Sequence, residues 1–375
     1  MLGELPSAAL AEEITGGHIR GLVTVAGNPA LSVPDGDRMA AALAGLDLLI
    51  SVDPYRNETT RHADVVLPVP GPLARAHFDL AFTQLAIRNV ARYSPAALDE
   101  PVPPEWQTLC RLAAVLAGGP ADAEPSTVDD TALAAVLAAH TRTDRSPVAG
   151  REVDELTAAL GRRRGEERLL DALLRLGPYG DGFGANPAGL TLDRLREYPH
   201  GLDLGPLKPR LPELLRTLSG QVELAPAQLL ADVGRLGAAL AEVGSDGGLV
   251  LVGRRHLRSN NSWGHNVAEL VGGTNTCTLQ MNPDDAKSRA LVSGGLARVT
   301  SSTGSVEVEV EVTDRIRPGV VSLPHGWGHQ RDTGLSVAGL TTGANVNVLT
   351  PPEVDPLSGT AVLNGFAVEV EPVLR

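Results

Sequence analysis

SVEVEVEV, from Ser305 to Val312, is the clearest period-two run in the chain. Side chains alternate between the two faces of a strand, so its valines face a core and its glutamates face water. Thr303 and Gly304, just before it, read as a hairpin turn. Working outward, residues 249–252, 297–301, 320–323 and 367–372 are Val-rich or alternate in the same way. Short strands at this density predict a β-barrel over residues 247–375.

The N-terminal part reads differently. A helical pattern over 7–14 leads to an apolar run at 19–26, then a Gly-Asn-Pro turn and a helical stretch at 38–46. Strand-like 48–52, helical 57–63 and strand-like 65–69 follow. Short apolar strands between helical segments predict a parallel sheet, part of a doubly wound α/β domain. The run at 19–26 reads as a central, buried strand. So small a sheet implies a chain that starts inside a domain. Between these parts, Ala, Leu, Arg and Glu dominate. Helical periodicity appears at 106–117, 129–140, 153–176 and 227–243, with a Gly/Pro-rich surface loop at 178–212. The fold class is therefore α/β plus β-barrel. The expected divisions are an α/β dinucleotide-binding part at 1–98, a helical region at 99–246 and the barrel at 247–375.

Composition narrows the function. The 375 residues carry 32 Lys and Arg against 45 Asp and Glu, a net charge of −13. Nucleic-acid binding needs clustered cations, and adhesion to anionic membranes needs them too, so neither partner is expected. The N-terminus lacks a basic leader, and no apolar run has the length of a membrane span. A cytoplasmic protein with two reduced core thiols, Cys110 and Cys277, is the expectation.

Four segments carry chemistry. In VTVAGNPALSVPDGD (Val23 to Asp37) a strand ends in a turn where Gly27 admits a close approach and the Asn28 amide can donate and accept. Asp35 and Asp37 could cap the next helix, as could Ser32. An ordinary strand-to-helix turn fits these residues too. In SVDPYRNETTRHADVVLPVPGP (Ser51 to Pro72), Asp53 follows a strand of the same sheet, where an acid commonly meets a ribose or base; a turn acid is the plainer reading. Neither a Walker loop nor GxGxxG is present. VGRRHLRSNNSWGHN (Val252 to Asn266) crowds Arg254, Asn261, Ser262 and His265 among further donors, suited to phosphate or a polar heterocycle. A basic surface loop is the alternative there. In VVSLPHGWGH (Val320 to His329), His325 and His329 have the spacing of helical metal ligands, but Pro and Gly oppose a helix, so a loop histidine beside a ligand is favoured over zinc. No GxSxG elbow or HExxH is present.

In this order, the segments resemble the C-terminal portion of the molybdopterin oxidoreductases, the dimethyl-sulfoxide-reductase superfamily, most closely its formate-dehydrogenase-like members. GNPALSVPDGD, VDPYRNETTRHADVVLP, GRRHLRSNNSWGHN, MNPDDA (Met281 to Ala286), GVVSLPHGWGH and NVNVLTPPEVDPLSGTAVLNG carry the likeness, over residues 1–98 and 247–375. The resemblance implies a six-stranded double-psi barrel and binding of molybdopterin guanine dinucleotide. Gly27, Asn28, Pro29, Ser32, Asp53, Glu58 and Thr59 would line its nucleotide pocket. Arg254, Asn261, Ser262, His265, His325 and Asn347 would face one cavity and hold pterin and phosphate oxygens.

The departures are equally specific. The family's large subunits are longer, and their N-terminal part supplies the iron–sulfur cysteines and the molybdenum ligand. Neither Cys110 nor Cys277 stands in that ligand's setting, so no catalytic or metal residue is assigned. The turn after MNPDDA reads Ser293-Gly294-Gly295, without the usual carboxylates. Two readings stay open. The chain is the cofactor-holding C-terminal part of a molybdenum oxidoreductase, partnered by an upstream polypeptide carrying any iron–sulfur cluster and by a redox subunit. Alternatively, it is a stand-alone non-catalytic binding or accessory protein. In either case turnover by the chain alone is not expected.

Overall fold

The computed structural model describes residues 5–81, 83–242, 248–330, 333–341 and 343–373. The chain forms two compact units, Met1–Leu67 with Val222–Arg375, and Pro68–Gln221. The first opens with α1 (Leu10–Thr15), β1 (Gly21–Val25), α2 (Pro29–Ser32), α3 (Gly36–Ala44), β2 (Leu48–Val52) and β3 (Val65–Leu67). The strands form a parallel sheet in the order β1-β2-β3, with Val23 opposite Ile50 and Ile50 opposite Val65. Asp35 starts α3 by accepting the Arg38 N–H at 3.4 Å, and Gly45 ends it. Met39, Leu43 and Leu49 fill the core under one sheet face, with Ala11 and Ile14 of α1.

Here an expectation fails. The run 19–26 is not a central buried strand: β1 lies at the sheet edge and β2 is central. Leu22 and Thr24 are half-buried on the packed face, while Val23 and Val25 stay exposed on the other. An uncharged strand is buried only where a layer covers it, and here one face is left uncovered. The helical stretch at 57–63 shrinks to a short 3-10 turn, Thr60–His62.

The second unit holds the short strands β4 (His77–Phe78), β5 (Arg88–Ala91), β6 (Tyr93–Ser94) and β7 (Leu202–Pro206), with β4 pairing β6 and β5 pairing β7. Its helices are α4 (Glu105–Leu116), α5 (Pro125–Thr141), α6 (Val153–Ala159), α7 (Gly165–Leu176) and α8 (Leu192–Arg196). The single helix expected at 153–176 is broken, because Gly161 and Gly165 take φ of 71° and 63°, which side chains avoid. The expected surface loop 178–212 is partly core: Leu192 and Leu195 are fully buried, and Asp171 accepts the Leu192 N–H at 2.8 Å.

Returning to the first unit, α9 (Ala227–Ala231) and α10 (Val233–Glu242) replace one expected helix. Val243 and the expected boundary at 246 lie outside the described residues. The strands β8 (Leu249–Arg254), β9 (Thr278–Met281), β10 (Leu296–Thr300), β11 (Ser305–Val312), β12 (Val320–Pro324) and β13 (Phe366–Pro372) close a barrel in the order β10-β11-β9-β12-β8-β13. β10 and β11 are a hairpin, Thr300 opposite Ser305, turning through Thr303-Gly304 as expected. Val308 and Val310 are buried beside Leu251, Leu279, Val299, Leu323 and Val370. β9 escaped the sequence reading because it is four residues long and follows a polar run. Among the described residues, no helix is long and apolar enough to cross a membrane.

Candidate functional site

The carboxyl ends of β1 and β2 open into loops that meet two barrel loops around a cavity of about 350 Å³. Gly27, Asn28 and Ser32 come from the first loop, and Asp53, Tyr55 and Asn57 from the second. Arg255, Asn261 and Ser262 follow β8, while His325, Gly326 and His329 follow β12. Ala26 and Asn261 line the cavity with φ of 53° and 61°. Side chains other than Gly rarely sit there, and such strain gathers at ligand sites.

Each expected residue has a definite place. Asp53 is buried, its Oδ1 accepting the Tyr55 N–H at 2.8 Å and its Oδ2 the Asn57 Nδ2–H at 3.2 Å. Burial raises its pKa above the ordinary 3.8, against the lowering effect of those two donors. Each oxygen keeps a lone pair for a further donor. Asn28 is more engaged than its sequence implied: its Nδ2 donates to Glu58 at 2.9 Å, and its Oδ1 accepts from Thr59 Oγ1 at 2.7 Å. Glu58 and Thr59 therefore stand behind the cavity wall and hold Asn28, and Pro29 starts α2. Burial lowers the pKa of His325, and the Arg255 charge lowers it further.

The six barrel-side residues do not face one cavity. Asn261, Ser262 and His325 line the first. Arg254 lines a separate hollow of about 390 Å³ and donates to the carbonyls of Ser322 at 2.5 Å and Thr278 at 2.7 Å. A strand-end guanidinium among carbonyls satisfies them and ties β8 to β12 and, across it, to β9, so it is spent on the barrel. Asn347 is buried, its Nδ2 donating to the Leu31 carbonyl at 2.6 Å, which pins a barrel loop to α2. His265 belongs to a second cavity of about 680 Å³, walled also by Arg255, His256, Arg258 and Trp327.

A buried polar chain connects the two cavities. Glu58 Oε1 lies 3.3 Å from His329 Nδ1, and His329 Nε2 lies 2.9 Å from His265 Nδ1. Burial would raise the Glu58 pKa, but His329, Asn28 and the Gln330 N–H outweigh it and bring it below 4.5. Burial, with the His329 charge, lowers His265 to about 4. His265 stacks on Trp327 with centroids 4.0 Å apart, and both His265 Nε2 and Trp327 Nε1 are buried without a hydrogen-bond partner among the described residues. Orphaned buried donors and acceptors are costly, so walls carrying them beside guanidinium groups fit a polar, anionic ligand. The sequence reading missed Tyr55, Asn57 and Trp327 as wall residues. The crowding of Asn, Arg and His around them was the available signal; Trp327 carried none beyond its place between two glycines.

Residues 249–367 match the family model described as the molydopterin dinucleotide binding domain. The arsenate respiratory reductase molybdopterin-containing subunit of Chrysiogenes arsenatis is 32% identical over 121 residues, 30% of this chain and 14% of that one. The NADPH-Fe(3+) oxidoreductase subunit alpha of Geobacter sulfurreducens is 23% identical over 327 residues, 86% of this chain and 29% of that one. The solved acetylene hydratase of Pelobacter acetylenicus superposes with a TM-score of 0.64 at 17% identity, over 98% of this chain and 46% of that one. The chain thus spans less than a third of the length of these curated relatives. The barrel thus lies over a molydopterin dinucleotide binding domain, and the chain is similar to the C-terminal part of the molybdopterin oxidoreductases of the dimethyl-sulfoxide-reductase superfamily.

Proposed function

We propose that this chain holds molybdopterin guanine dinucleotide for a molybdenum-dependent, formate-dehydrogenase-like oxidoreductase. The observation that carries the reading is convergence: two strand-end loops of the sheet and two barrel loops wall one cavity with donors and a buried carboxylate. In open α/β sheets that place is where nucleotides bind. The chemistry of the walls fits the group. Asp53 would accept from guanine or ribose, with Gly27 and Ser32 admitting the nucleotide and Asn28 held in place by Glu58 and Thr59. Arg255, Asn261, Ser262 and His325 would meet phosphate oxygens, and His265 with Trp327 the heterocycle. The role of these residues is to bind and orient the cofactor. When bound, the cofactor's molybdenum supplies the redox chemistry.

The pairing of β8 with β12 and of β9 with β11 in parallel, joined through antiparallel β9 and β12, supports a double-psi arrangement of the barrel. The N-terminal parallel sheet, with ligand loops at its strand ends and helices packed on one face, supports reading it as part of an α/β nucleotide-binding domain. The metal ligand and any iron–sulfur cluster belong, on this reading, to a partner polypeptide, with a redox subunit taking the electrons. Formate is the substrate that the likeness of the C-terminal segments to formate-dehydrogenase-like members suggests for that assembly. The test is titration of the full chain with guanosine diphosphate. Asp53→Ala should weaken binding by roughly 10- to 100-fold, the worth of hydrogen bonds to a charged group, about 1.5–3 kcal/mol. Unchanged binding sinks the assignment.

A further inference from the structure

We propose that a cleft in the helical unit docks a basic segment of a partner polypeptide, with an arginine or lysine side chain laid on Trp106 and its charge met by Asp99 and Glu166. The cleft measures about 740 Å³, lies wholly within the second unit and shares no wall residue with the two cavities described above.

Charge is unbalanced in this cleft. Its walls carry the carboxylates of Asp99, Glu100, Glu105, Glu166 and Glu167 against the guanidinium of Arg75. Two of these acids have a cation of their own: Glu105 accepts from Arg75 at 2.6 Å, and Glu167 accepts from Arg196 at 2.5 Å. Glu105 of α4 and Glu166 and Glu167 of α7 also sit in first turns, where the helix dipole favours an acid. Asp99 and Glu100 precede α4 and lack that support, although Glu100 accepts the Gly71 N–H at 2.9 Å. Among the described residues, Asp99, Glu100 and Glu166 have no paired cation. Glu166 is exposed at the rim, yet the walls strip enough water from its carboxyl to raise its pKa above 4.5. The charges of Glu167, Glu105 and Asp129 raise it further. A cation entering the cleft relieves this repulsion.

The other wall residues narrow the kind of cation. Trp106 is half-buried, and its ring is seated on the backbone of Gly165, where a Cβ would come within 2.5 Å of the indole. A ring held in this way offers a fixed π surface to an ammonium or guanidinium group. Phe78, Val102, Pro104 and Leu109 extend the wall with apolar surface, which suits the methylene stem of Lys or Arg. A hydrated metal ion gains nothing from that surface. Arg75 adds a need for an acceptor. Its Nε is buried without a partner among the described residues, while the side chain as a whole is 31% exposed at the wall. A peptide carbonyl can accept from that group, whereas a free polyamine brings only donors. The occupant therefore combines a cation, an apolar stem and a carbonyl, as a basic polypeptide segment does.

The probe is a capped hexapeptide, Ala-Arg-Ala-Leu-Arg-Ala, titrated into the full chain while the indole N–H signals are followed by NMR. The Trp106 signal, identified by its loss in Trp106→Phe, should shift and saturate, while those of Trp263 and Trp327 stay in place. Asp99→Asn with Glu166→Gln should weaken binding roughly two- to thirtyfold, the worth of two partly exposed ion pairs. Glu369→Gln with Glu371→Gln makes the same charge change on exposed residues of β13 and should leave binding unchanged. The same peptide with citrulline for arginine keeps its shape, loses its charge and should not bind. No shift at Trp106, or equal binding of the citrulline peptide, overturns the proposal. Equal weakening by the β13 pair overturns it too, because the net charge of the chain then does the attracting. Spermidine that saturates the Trp106 signal at lower concentration than the peptide overturns the polypeptide occupant in favour of a free polyamine. The peptide comparisons use the unsubstituted chain, so they decide the matter even if the cleft variant is unstable.

Discussion

Asp53 sits at the end of β2 with one donor on each carboxylate oxygen, yet burial still raises its pKa above the unfolded value of 3.8. The folded chain thus holds this proton to higher pH than the unfolded one does. Its contribution to stability is complete below the unfolded value and is lost as pH rises through the folded value. An amide cannot ionise, so Asp53→Asn escapes that loss. The melting temperature of the variant relative to the unsubstituted chain should rise between acid and neutral pH, as followed by thermal melts across that range. A constant difference would mean that Asp53 ionises as freely in the folded chain as in the unfolded one. Neighbouring residues show how far a residue type alone can be read. Arg254 and Arg255 are indistinguishable as letters, but strand phase sends the first among the carbonyls of Ser322 and Thr278 and leaves the second in the walls of both cavities.

At the scale of elements, the barrel was legible because its signal is local. Alternation over 305–312 needs no partner to be seen, and the hairpin turn precedes it. The two ligand loops of the sheet were legible because a strand followed by Gly-Asn-Pro or Asp-Pro marks a strand end. What was hidden depends on contacts distant in sequence. Glu58 reads as a first-turn acid, and only the fold brings His329 to within 3.3 Å of it. The helical unit was hidden for a similar reason, since it is held by buried ion pairs that periodicity does not report. Arg168 of α7 is 1% exposed and donates to Asp129 of α5 at 2.5 Å, with Asp130 at 2.6 Å. Asp129 also accepts the Gly165 N–H at 3.0 Å, at the start of α7. Removing the guanidinium strands a buried carboxylate where two helices meet. Arg168→Ala should therefore cost about 3–5 kcal/mol, read as a lowered denaturant midpoint for the helical unit. A loss under about 1 kcal/mol would show Asp129 to be reached by water in the folded chain.

At the scale of the whole molecule, two opposing surface properties decide behaviour in solution. The net charge of −13 keeps chains apart. The sheet pulls the other way: Val23, Val25, Leu48 and Val65 point to one face and are 36%, 48%, 43% and 42% exposed. Register places Val23 opposite Ile50 and Ile50 opposite Val65, so these side chains form a continuous apolar stripe across all three strands. Contiguous apolar surface of this kind is attractive at short range, whereas charge repulsion reaches only about 10 Å at 0.1 M salt and about 3 Å at 1 M. Raising the salt should therefore unmask the stripe. We expect self-association that increases with ionic strength, followed by sedimentation, together with fluorescence of an apolar dye that is already present at low salt. Val25→Lys with Val65→Lys places two ammonium groups on the stripe without entering the packed face, where Leu22, Leu49 and Thr24 lie. The double variant should lose most of the dye signal and stay monomeric at high salt while keeping its melting temperature. If association weakens as salt is added, charge pairing rather than the sheet face holds the chains together. If the variant binds dye as strongly as the unsubstituted chain, the accessible apolar surface lies elsewhere.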